Sequence, residues 1–496
     1  MKLKKLLEKL DYTVINGSDE TEVANLVYDS RKAGQDDVFV CITGAVSDGH
    51  VYIPDVVKKG VKAVIVEKDI DIIPDYQDVT FIKTKDNRLA LAYMSAAFFD
   101  YPAEKITTIG ITGTKGKTTT TFMIRDILEK CNIKTGLIGT IETIIGDTHI
   151  PSANTTPESY KVQEYFSEMV KCGCKCVVME VSSQALMLHR TAGINFDIGV
   201  FTNLEPDHIG PNEHASFEEY MACKGLLFKQ CRTGIANIDN EHTKEVFKGH
   251  TCTLETYGIK KNADLKAENI EYRHEGGRIT TEYDITGKRN MRVALTLPGE
   301  FSVYNSLCAI AVAEHFNVDE DLLKTALYET KVAGRVEPVK ASDDFIVMID
   351  YAHNAMSLKS LLGTLREYNP GRIVSLFGCG GNRSKLRRFE MGEVSGNMAD
   401  FTIITSDNPR FEEPEEIMND IETGMKKTSG KYIKIADRKE AVKYAIENGK
   451  PGDIIVLAGK GHEDYQEIKG VKYHQTDREL VEQAVKELAR QKEAIR

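Results

Sequence analysis

The segment Ile106-Thr-Thr-Ile-Gly-Ile-Thr-Gly-Thr-Lys-Gly-Lys-Thr118 decides the fold of this 496-residue chain. Its first half is mostly β-branched and predicts a buried strand, and the apolar spacing after Lys117 predicts a helix. Glycines in the turn between them let backbone N–H groups close around phosphate oxygens, and the N-terminus of the helix adds positive potential. The segment therefore predicts a site for a nucleoside triphosphate on a strand–turn–helix unit.

The turn is shorter than the standard phosphate loop, which needs a glycine where Ile111 stands. The short form runs from Gly113 to Thr118. In this form Lys117 can reach the outer phosphates, and the Thr118 hydroxyl can ligate Mg²⁺. A chance glycine turn between a strand and a helix is the alternative interpretation.

Composition restricts the class of protein. The net charge of −11 argues against a general nucleic-acid binder, which would carry a basic surplus. No apolar run approaches the length of a membrane span, and residues 1–10 predict an amphipathic helix rather than a signal peptide. The 10 cysteines include no C-x-x-C pair, which favours free thiols over a zinc site. We expect a cytoplasmic protein.

Alternating strand and helix patterns predict an α/β protein of three domains. We expect a small α/β domain over residues 1–100, a central domain over 101–332 and a Rossmann-like domain over 333–496. The central domain is predicted to be a parallel sheet with helices on both faces, and such sheets bind ligands at the carboxyl ends of their strands. The last stretch, Glu479–Arg496, predicts a charged helix exposed to solvent.

Polar residues follow two predicted strands of the central domain. Glu180 ends one strand, where a carboxylate would face the phosphate loop as a second Mg²⁺ ligand. A carboxylate making only local hydrogen bonds is the alternative. Asp207 and His208 follow the next strand, where a structural turn is the alternative. The helical pattern alone indicates that Lys224 is a surface lysine.

Four polar loops follow predicted strands of the last domain. They are Asp350-Tyr-Ala-His353, Phe377-Gly-Cys-Gly-Gly-Asn-Arg383, Ser406-Asp-Asn-Pro-Arg410 and Gly459-Lys-Gly-His-Glu-Asp464. Each loop alone is compatible with ordinary turn chemistry. Because the carboxyl ends of parallel strands share one sheet edge, the four loops together predict a second binding face.

Further short motifs occur along the chain in a fixed order with these loops. They are Asp29-Ser-Arg31, Asp48-Gly-His50, Asn154-Thr-Thr-Pro157, Glu180-Val-Ser-Ser183, His189-Arg190 and Phe201-Thr-Asn203. With this order of motifs, the chain resembles the Mur ligase family of bacterial cell-wall synthesis. The resemblance implies an ATP-dependent amide ligase, in which a substrate carboxylate takes the γ-phosphoryl group and an amino group attacks the acyl phosphate. A carboxylate attacking a phosphate brings two anions together, so Mg²⁺ and Lys117 must neutralise charge.

The resemblance also implies roles for individual residues. The implied catalytic residues are Lys117, Glu180, His208 and Lys224. The implied metal ligands are Thr118, Glu180, His208 and a carbamylated Lys224. The implied ATP contacts are Gly113, Thr114, Lys115, Gly116, Lys117, Thr118, Thr119, Asn305, Arg335 and Asp350. The implied contacts to a UDP-sugar peptide are Ser30, Asn154, Thr155, Thr156, Ser182 and Arg190. The implied contacts to the incoming amino acid are Arg383, Asp407, Asn408, Pro409, Arg410, Gly459 and Glu463.

The implied substrates are UDP-N-acetylmuramoyl-L-alanyl-D-glutamate and meso-diaminopimelate, on a monomeric enzyme. Arg410 favours diaminopimelate, because an arginine binds the extra carboxylate of this amino acid bidentately and lysine has no such group. The alternatives are lysine or another diamino acid as substrate, a divergent member of the family, a folylpolyglutamate synthetase and a non-catalytic nucleotide sensor.

Overall fold

A computed structural model of the chain describes residues 1–44, 47–206, 209–210, 213–275 and 277–495, apart from the side chains of 492–495. The chain divides into a first unit, residues 1–264 with 308–319, and a second unit, residues 265–307 with 320–496. Both units contain parallel strands joined by helices, so the predicted α/β class is confirmed. The three domain boundaries stay a prediction. None of the described helices combines the length and the apolar character that crossing a membrane requires.

A five-stranded sheet opens the first unit. Its strands are Tyr12–Asn16 (β1), Leu26–Val27 (β2), Val38–Val40 (β3), Ala63–Val66 (β4) and Thr80–Thr84 (β5), in the order β1-β5-β4-β3-β2. Its helices are Leu3–Leu6 (α1), Ile53–Lys58 (α2) and Asn87–Phe98 (α3). The apolar β4 is buried along its whole length, and α3 packs on one face of the sheet. The first helix is shorter than residues 1–10 predict, because the chain turns after Leu6.

A second sheet carries the phosphate loop. Its strands are Thr107–Thr112 (β6), Thr135–Ile138 (β7), Glu142–Ile145 (β8), Thr148–Pro151 (β9), Cys176–Glu180 (β10), Phe196–Phe201 (β11), Cys231–Asn237 (β12) and Thr253–Gly258 (β13). Its helices are Lys117–Lys130 (α4), Ser159–Lys171 (α5), Ser183–Met187 (α6), Phe217–Gly225 (α7) and Thr243–Val246 (α8). In this sheet β6 lies between the parallel strands β10 and β11. The ends of these three strands are therefore adjacent.

The second unit begins with an antiparallel meander and continues as a mostly parallel sheet. The meander consists of Leu265–Glu275 (β14), Arg278–Gly287 (β15) and Met291–Leu295 (β16). The sheet consists of Glu337–Val339 (β17), Ile346–Asp350 (β18), Arg372–Phe377 (β19), Phe401–Ile404 (β20), Tyr432–Lys434 (β21) and Asp453–Ala458 (β22), in the order β17-β18-β22-β19-β20-β21. A hairpin of Tyr465–Ile468 (β23) and Val471–His474 (β24) follows. The meander and the hairpin are absent from the sequence predictions.

Helices cover both faces of the mostly parallel sheet. They are Ala355–Arg366 (α11), Lys385–Met398 (α12), Pro414–Met425 (α13), Arg438–Glu447 (α14) and Asp477–Ile495 (α15). Two further helices, Glu300–Ala313 (α9) and Glu320–Glu329 (α10), precede the sheet in the chain. The apolar strand β22 is buried along its whole length at the centre. The prediction of a solvent-exposed C-terminal helix is wrong for one face, because Leu480, Val481 and Ala484 of α15 are buried in the apolar core.

Candidate active site

The phosphate loop is fixed by the close approach of residues that follow β11. Gly113 has a φ of 152°, and a Cβ atom there would lie 1.9 Å from the Thr202 hydroxyl. Gly116 has a φ of 84° and precedes the first turn of α4, which begins with Lys117. The Lys115 N–H donates to Asn203 Oδ1 at 2.9 Å. Gly113 is therefore required both for backbone conformation and for space, and Gly116 for backbone conformation.

Two lysine side chains donate to the same carbonyl of this loop. Lys117 Nζ lies 2.8 Å from the Gly113 oxygen, and Lys224 Nζ lies 2.9 Å from that oxygen. Lys224 is only 1% exposed, and its Nζ lies 4.4 Å from the centre of the Tyr220 ring. The surface position that the helical pattern indicated for Lys224 is therefore wrong, because α7 turns this side chain into the phosphate loop.

Glu180 lies at the end of β10, beside Ile111 of β6, and is 1% exposed. Its Oε2 accepts hydrogen bonds from the Thr118 hydroxyl at 3.1 Å and the Thr140 hydroxyl at 3.0 Å. Its Oε1 accepts from the Thr140 N–H at 2.8 Å. Carboxylate and hydroxyl oxygens are the ligands that Mg²⁺ prefers, so Thr118 and Glu180 together fit this ion.

Two of the predicted residues cannot be placed. Asp207 and His208 lie outside the described residues. The metal position expected from His208 and Lys224 therefore stays a prediction. Two other contacts of the loop were absent from the sequence predictions: Lys115 Nζ pairs with Glu205 at 2.6 Å, and the Thr114 hydroxyl lies 3.0 Å from the Tyr220 hydroxyl.

A cavity of about 190 Å³ brings the phosphate-loop lysine together with most residues predicted to contact the UDP-sugar peptide. It is lined by Lys117, Asn154, Thr155, Thr156, Ser182, Ser183, Gln184, Arg190, Glu213 and His214. Ser183, Gln184, Glu213 and His214 were not predicted. His214 is buried, and its Nε2 lies 2.8 Å from the Ser183 hydroxyl. Ser183 lies within the quoted motif Glu180-Val-Ser-Ser183. No local sequence pattern marks Gln184, Glu213 and His214, which join this cavity only through folding.

Thr156 ties the wall of this cavity to the end of β10. Its hydroxyl donates to the Glu180 carbonyl at 2.9 Å, and its own carbonyl accepts from Arg190 Nη1 at 3.0 Å. The Arg190 guanidinium is therefore held on the cavity wall. The predicted contact Ser30 lies elsewhere, in the loop after β2, where its carbonyl accepts from Lys59 Nζ at 2.7 Å.

In the second unit, the loops after β19, β20 and β22 meet at one sheet edge. Asn408 Nδ2 donates to Glu463 Oε2 at 2.8 Å, and the Gly381 N–H donates to the Asn408 carbonyl at 2.9 Å. A Cβ atom on Gly459 would lie 3.0 Å from Asp407 Oδ2. The structure therefore brings Asp407, Asn408 and Glu463 together, as predicted for the amino-acid contacts. Pro409 follows in the same loop and its carbonyl packs against Gly381, where a Cβ atom would lie 1.9 Å from that oxygen.

A buried lysine lies behind these acceptors. Lys460 Nζ donates to the Tyr465 carbonyl at 2.5 Å and lies 3.8 Å from Glu463 Oε2. Burial lowers the pKa of Lys460. Burial, and then the charge of Asp407, raise the pKa of Glu463. The group is thus a compact set of acidic and basic side chains in which Lys460 is buried and Glu463 is partly exposed.

Arg410 ends the loop that carries Asp407 and Asn408, and its side chain is partly exposed. Its φ of 54° is left-handed, its Nη1 donates to the Gly381 carbonyl at 2.7 Å, and its Nε donates to Glu467 Oε2 at 3.2 Å. Arg383 is exposed. Both arginines flank Gly380, since a Cβ atom there would lie 3.1 Å from Arg410 Nη1 and 3.8 Å from Arg383 Cγ.

The residues predicted to contact ATP from the second unit include Asp350 and Arg335. Asp350 accepts from the N–H groups of Val336 and Ala352, both at 2.8 Å. Burial raises the pKa of Asp350, and the positive charge of Arg335 opposes this shift. The Arg335 guanidinium carbon lies 5.0 Å from the centre of the Tyr351 ring. The third predicted residue, Asn305, is buried in α9.

His462 was not predicted, although it lies within a quoted motif. Its ring centre lies 5.2 Å from that of Tyr351. Burial and the charge of Arg335 lower the pKa of His462 to about 4, so the imidazole is neutral at pH 7.

The fold and the two sites define a phosphate-loop α/β protein with a second polar face. Three family models match the chain: "Mur ligase family, catalytic domain" over residues 22–99, "Mur ligase middle domain" over 111–313 and "Mur ligase, glutamate ligase domain" over 334–461. The chain belongs to the Mur ligase family.

Several ligases are similar to the chain over nearly its full length. A UDP-N-acetylmuramoyl-L-alanyl-D-glutamate–2,6-diaminopimelate ligase from Caldanaerobacter subterraneus is 43% identical over 98% of this chain and 99% of the relative. One of the same name from Clostridium perfringens is 41% identical over 97% of this chain and 99% of the relative. A solved structure of a ligase with this name has a TM-score of 0.74 at 26% identity, covering 99% of each chain.

Proposed function

We propose that this chain is an ATP-dependent ligase that joins meso-diaminopimelate to UDP-N-acetylmuramoyl-L-alanyl-D-glutamate in peptidoglycan synthesis. The observation that carries the proposal is the anchored Arg410 guanidinium beside Asn408 and Glu463, on a chain with a built phosphate loop. The names of the similar ligases support the same substrates. Cytoplasmic location and a monomeric state stay predictions.

The first step activates the carboxylate of the glutamyl residue. One carboxylate oxygen forms a bond to the γ-phosphorus of ATP, the bond from this phosphorus to the bridging oxygen breaks, and ADP leaves with the electron pair. Lys117 and the N-terminus of α4 lower the repulsion between the two anions. The cavity walled by Thr156 and Arg190 would hold the substrate next to Lys117.

Thr118 and Glu180 would hold Mg²⁺, which when bound neutralises charge on the phosphate oxygens. The two hydrogen bonds from Thr140 fix the Glu180 carboxylate in the orientation that this role needs. A carbamylated Lys224 with His208 is our proposal for a second metal position. Carbamylation would convert the buried ammonium group of Lys224 into an anion. The charged hydrogen bond from Lys224 Nζ to the Gly113 carbonyl would then give way to contacts between the carbamate oxygens and the metal.

The second step forms the amide. The amino nitrogen of diaminopimelate bonds to the acyl carbon, the nitrogen loses a proton, and phosphate leaves with the electrons of the broken C–O bond. At the far end of the amino acid, Arg410 would bind the carboxylate, and the acceptors of Asp407 and Glu463 would bind the ammonium group. Lysine lacks this carboxylate and would forgo a charge-assisted contact of about 1.5–3 kcal/mol, while Arg410 would keep its pair with Glu467.

ADP release with a panel of amino acids tests the proposal. With ATP, Mg²⁺ and the muramoyl dipeptide, diaminopimelate should support rapid ADP release, and lysine and alanine should support little. Release that is equal with lysine would contradict the choice of amino acid. No release with any amino acid would contradict the ligase itself.

A further inference from the structure

The loop Ser406-Asp-Asn-Pro-Arg410, the Arg410 loop, is contacted at successive residues by the first strand of the β23–β24 hairpin. Gln466 Nε2 donates to the Ser406 hydroxyl at 2.9 Å and to the Asp407 carbonyl at 2.8 Å. The next residue, Glu467, donates its N–H to Asn408 Oδ1 at 2.9 Å. The hairpin thus runs beside the loop and supplies hydrogen-bond partners to successive loop residues.

The hairpin also holds the backbone of Arg410. The Arg410 N–H donates to the Glu467 carbonyl at 2.9 Å, and the Lys469 N–H donates to the Arg410 carbonyl at 2.6 Å. These bonds hold Arg410 in its left-handed conformation, which a residue with a side chain rarely adopts. The direction in which Arg410 projects is therefore fixed by the hairpin.

The hydrogen bonds of the guanidinium leave one edge open. Its Nε–H is taken by Glu467 and one Nη1–H by the Gly381 carbonyl. Within the described part of the chain, Nη2 of Arg410 has no acceptor. The open edge, Nη1 with Nη2, is one of the two guanidinium edges that can bind a carboxylate bidentately, and the other edge is occupied at Nε by Glu467. Glu467 contacts only Nε, so it orients the group without covering this edge.

We infer that Glu467 is a positioning residue that sets the specificity for a second carboxylate on the incoming amino acid. The inference rests on the proposed function. Glu463 lies near enough for the charge of Arg410 to act on its pKa. Without Glu467, the guanidinium is free to turn toward the acidic side chains of the site, and its open edge no longer faces the substrate.

Three variants test this role. Glu467→Ala removes the Nε acceptor, Glu467→Gln keeps an acceptor oxygen, and Lys472→Ala is the matched control. Lys472 lies opposite Glu467 in the register of the hairpin, and its Nζ lies over the Tyr465 ring. Its strand is exposed along its length. Steady-state ADP release gives KM for diaminopimelate, lysine and ATP, together with kcat.

Glu467→Ala should raise KM for diaminopimelate about tenfold or more, the effect of losing a hydrogen bond to a charged group. KM for ATP should stay unchanged, and the preference for diaminopimelate over lysine should fall. Glu467→Gln should restore most of the affinity, and Lys472→Ala should match the wild type.

Two outcomes would overturn the inference. One is an unchanged KM for diaminopimelate in Glu467→Ala. The other is an equal loss in Glu467→Ala and Lys472→Ala, which would show that the hairpin acts only on stability. If the wild-type enzyme itself does not prefer diaminopimelate, the proposed function fails, and the inference fails with it.

Discussion

The phosphate loop and the Arg410 loop are supported in different ways. The phosphate loop is held by residues at the ends of buried parallel strands, as the bond from Lys115 to Asn203 shows. The Arg410 loop is held by a hairpin whose outer strand, Val471–His474, is exposed along its length. Lys117, proposed to activate the acid, thus rests on the core of a sheet, whereas Arg410, proposed to choose the amino acid, depends on a hairpin with one exposed strand. Changes in the first should stop the reaction, and changes in the second should alter its selectivity.

The largest effect is expected at Lys117. Lys117→Ala should lower ADP release by about 10³-fold with every amino acid, because the charge on the transferring phosphoryl group loses its main protein cation. Steady-state kinetics would measure this loss. Lys130→Ala, at the far end of α4, serves as the control and should keep wild-type activity. A Lys117→Ala enzyme with near-normal turnover would show that the phosphate loop does not act as proposed.

The next largest effect is expected at Lys224, which contacts the same phosphate-loop carbonyl as Lys117. Lys224→Ala should reduce turnover by about 10²-fold. If the lysine is carbamylated, added acetate or propionate should recover part of the activity by supplying a carboxylate. Lys229→Ala, an exposed lysine shortly after α7, is the matched control. Unchanged turnover in Lys224→Ala would remove Lys224 from the proposed metal site.

A change at Arg410 is expected to alter which amino acid is chosen rather than to stop the reaction. Arg410→Ala should raise KM for diaminopimelate by about 30-fold, the size expected for losing a hydrogen bond to a charged group, and should leave KM for ATP unchanged. The ratio of kcat/KM for diaminopimelate to that for lysine should approach one. Arg366→Ala, which removes a surface ion pair with Asp400, is the control. A ratio that stays at the wild-type value would assign the choice of amino acid to other residues.

The smallest effect concerns stability near the Arg410 loop. The buried Arg388 donates to both carboxylate oxygens of Glu412 at 2.8 Å and lowers the pKa of Glu412 to about 2. Because the folded pKa is below the unfolded value, this pair stabilises the fold above about pH 5, and the contribution declines as the pH falls toward 2.

Glu412→Gln should therefore lower the free energy of unfolding by about 2 kcal/mol at pH 7, and by less at pH 3. Urea unfolding at the two pH values measures the difference. A loss of the same size at both would mean that packing, rather than charge, supports this pair.

The sequence predicted the features that depend on local signals. The run before the phosphate loop predicted β6, and the polar loops of the last domain were expected after strands that the structure shows as β19 and β22, because buried parallel strands are largely apolar. Parallel strands then place the loops that follow them at one edge. This explains why Asp407, Asn408 and Glu463 were expected together and lie together.

The features that were missed depend on contacts between distant residues. The helical pattern indicated an exposed Lys224, since no local signal shows that α7 faces the Gly113 carbonyl. Thr140 and Glu467 were missed for the same reason: their partners lie 40 residues and more than 50 residues away. The β23–β24 hairpin has two strands of four residues that mix polar and apolar side chains, so its sequence gives no clear strand signal. Its role follows only from its hydrogen bonds to the Arg410 loop.

Activation of the glutamyl carboxylate by ATP can be tested by following the oxygen atoms of this carboxylate. The glutamyl carboxylate of the muramoyl dipeptide is labelled with ¹⁸O, and the wild-type enzyme is supplied with ATP, Mg²⁺ and diaminopimelate. We expect one ¹⁸O atom in each phosphate released, because the attacking carboxylate oxygen leaves with the phosphoryl group. Released phosphate without the label would contradict activation of the carboxylate by ATP.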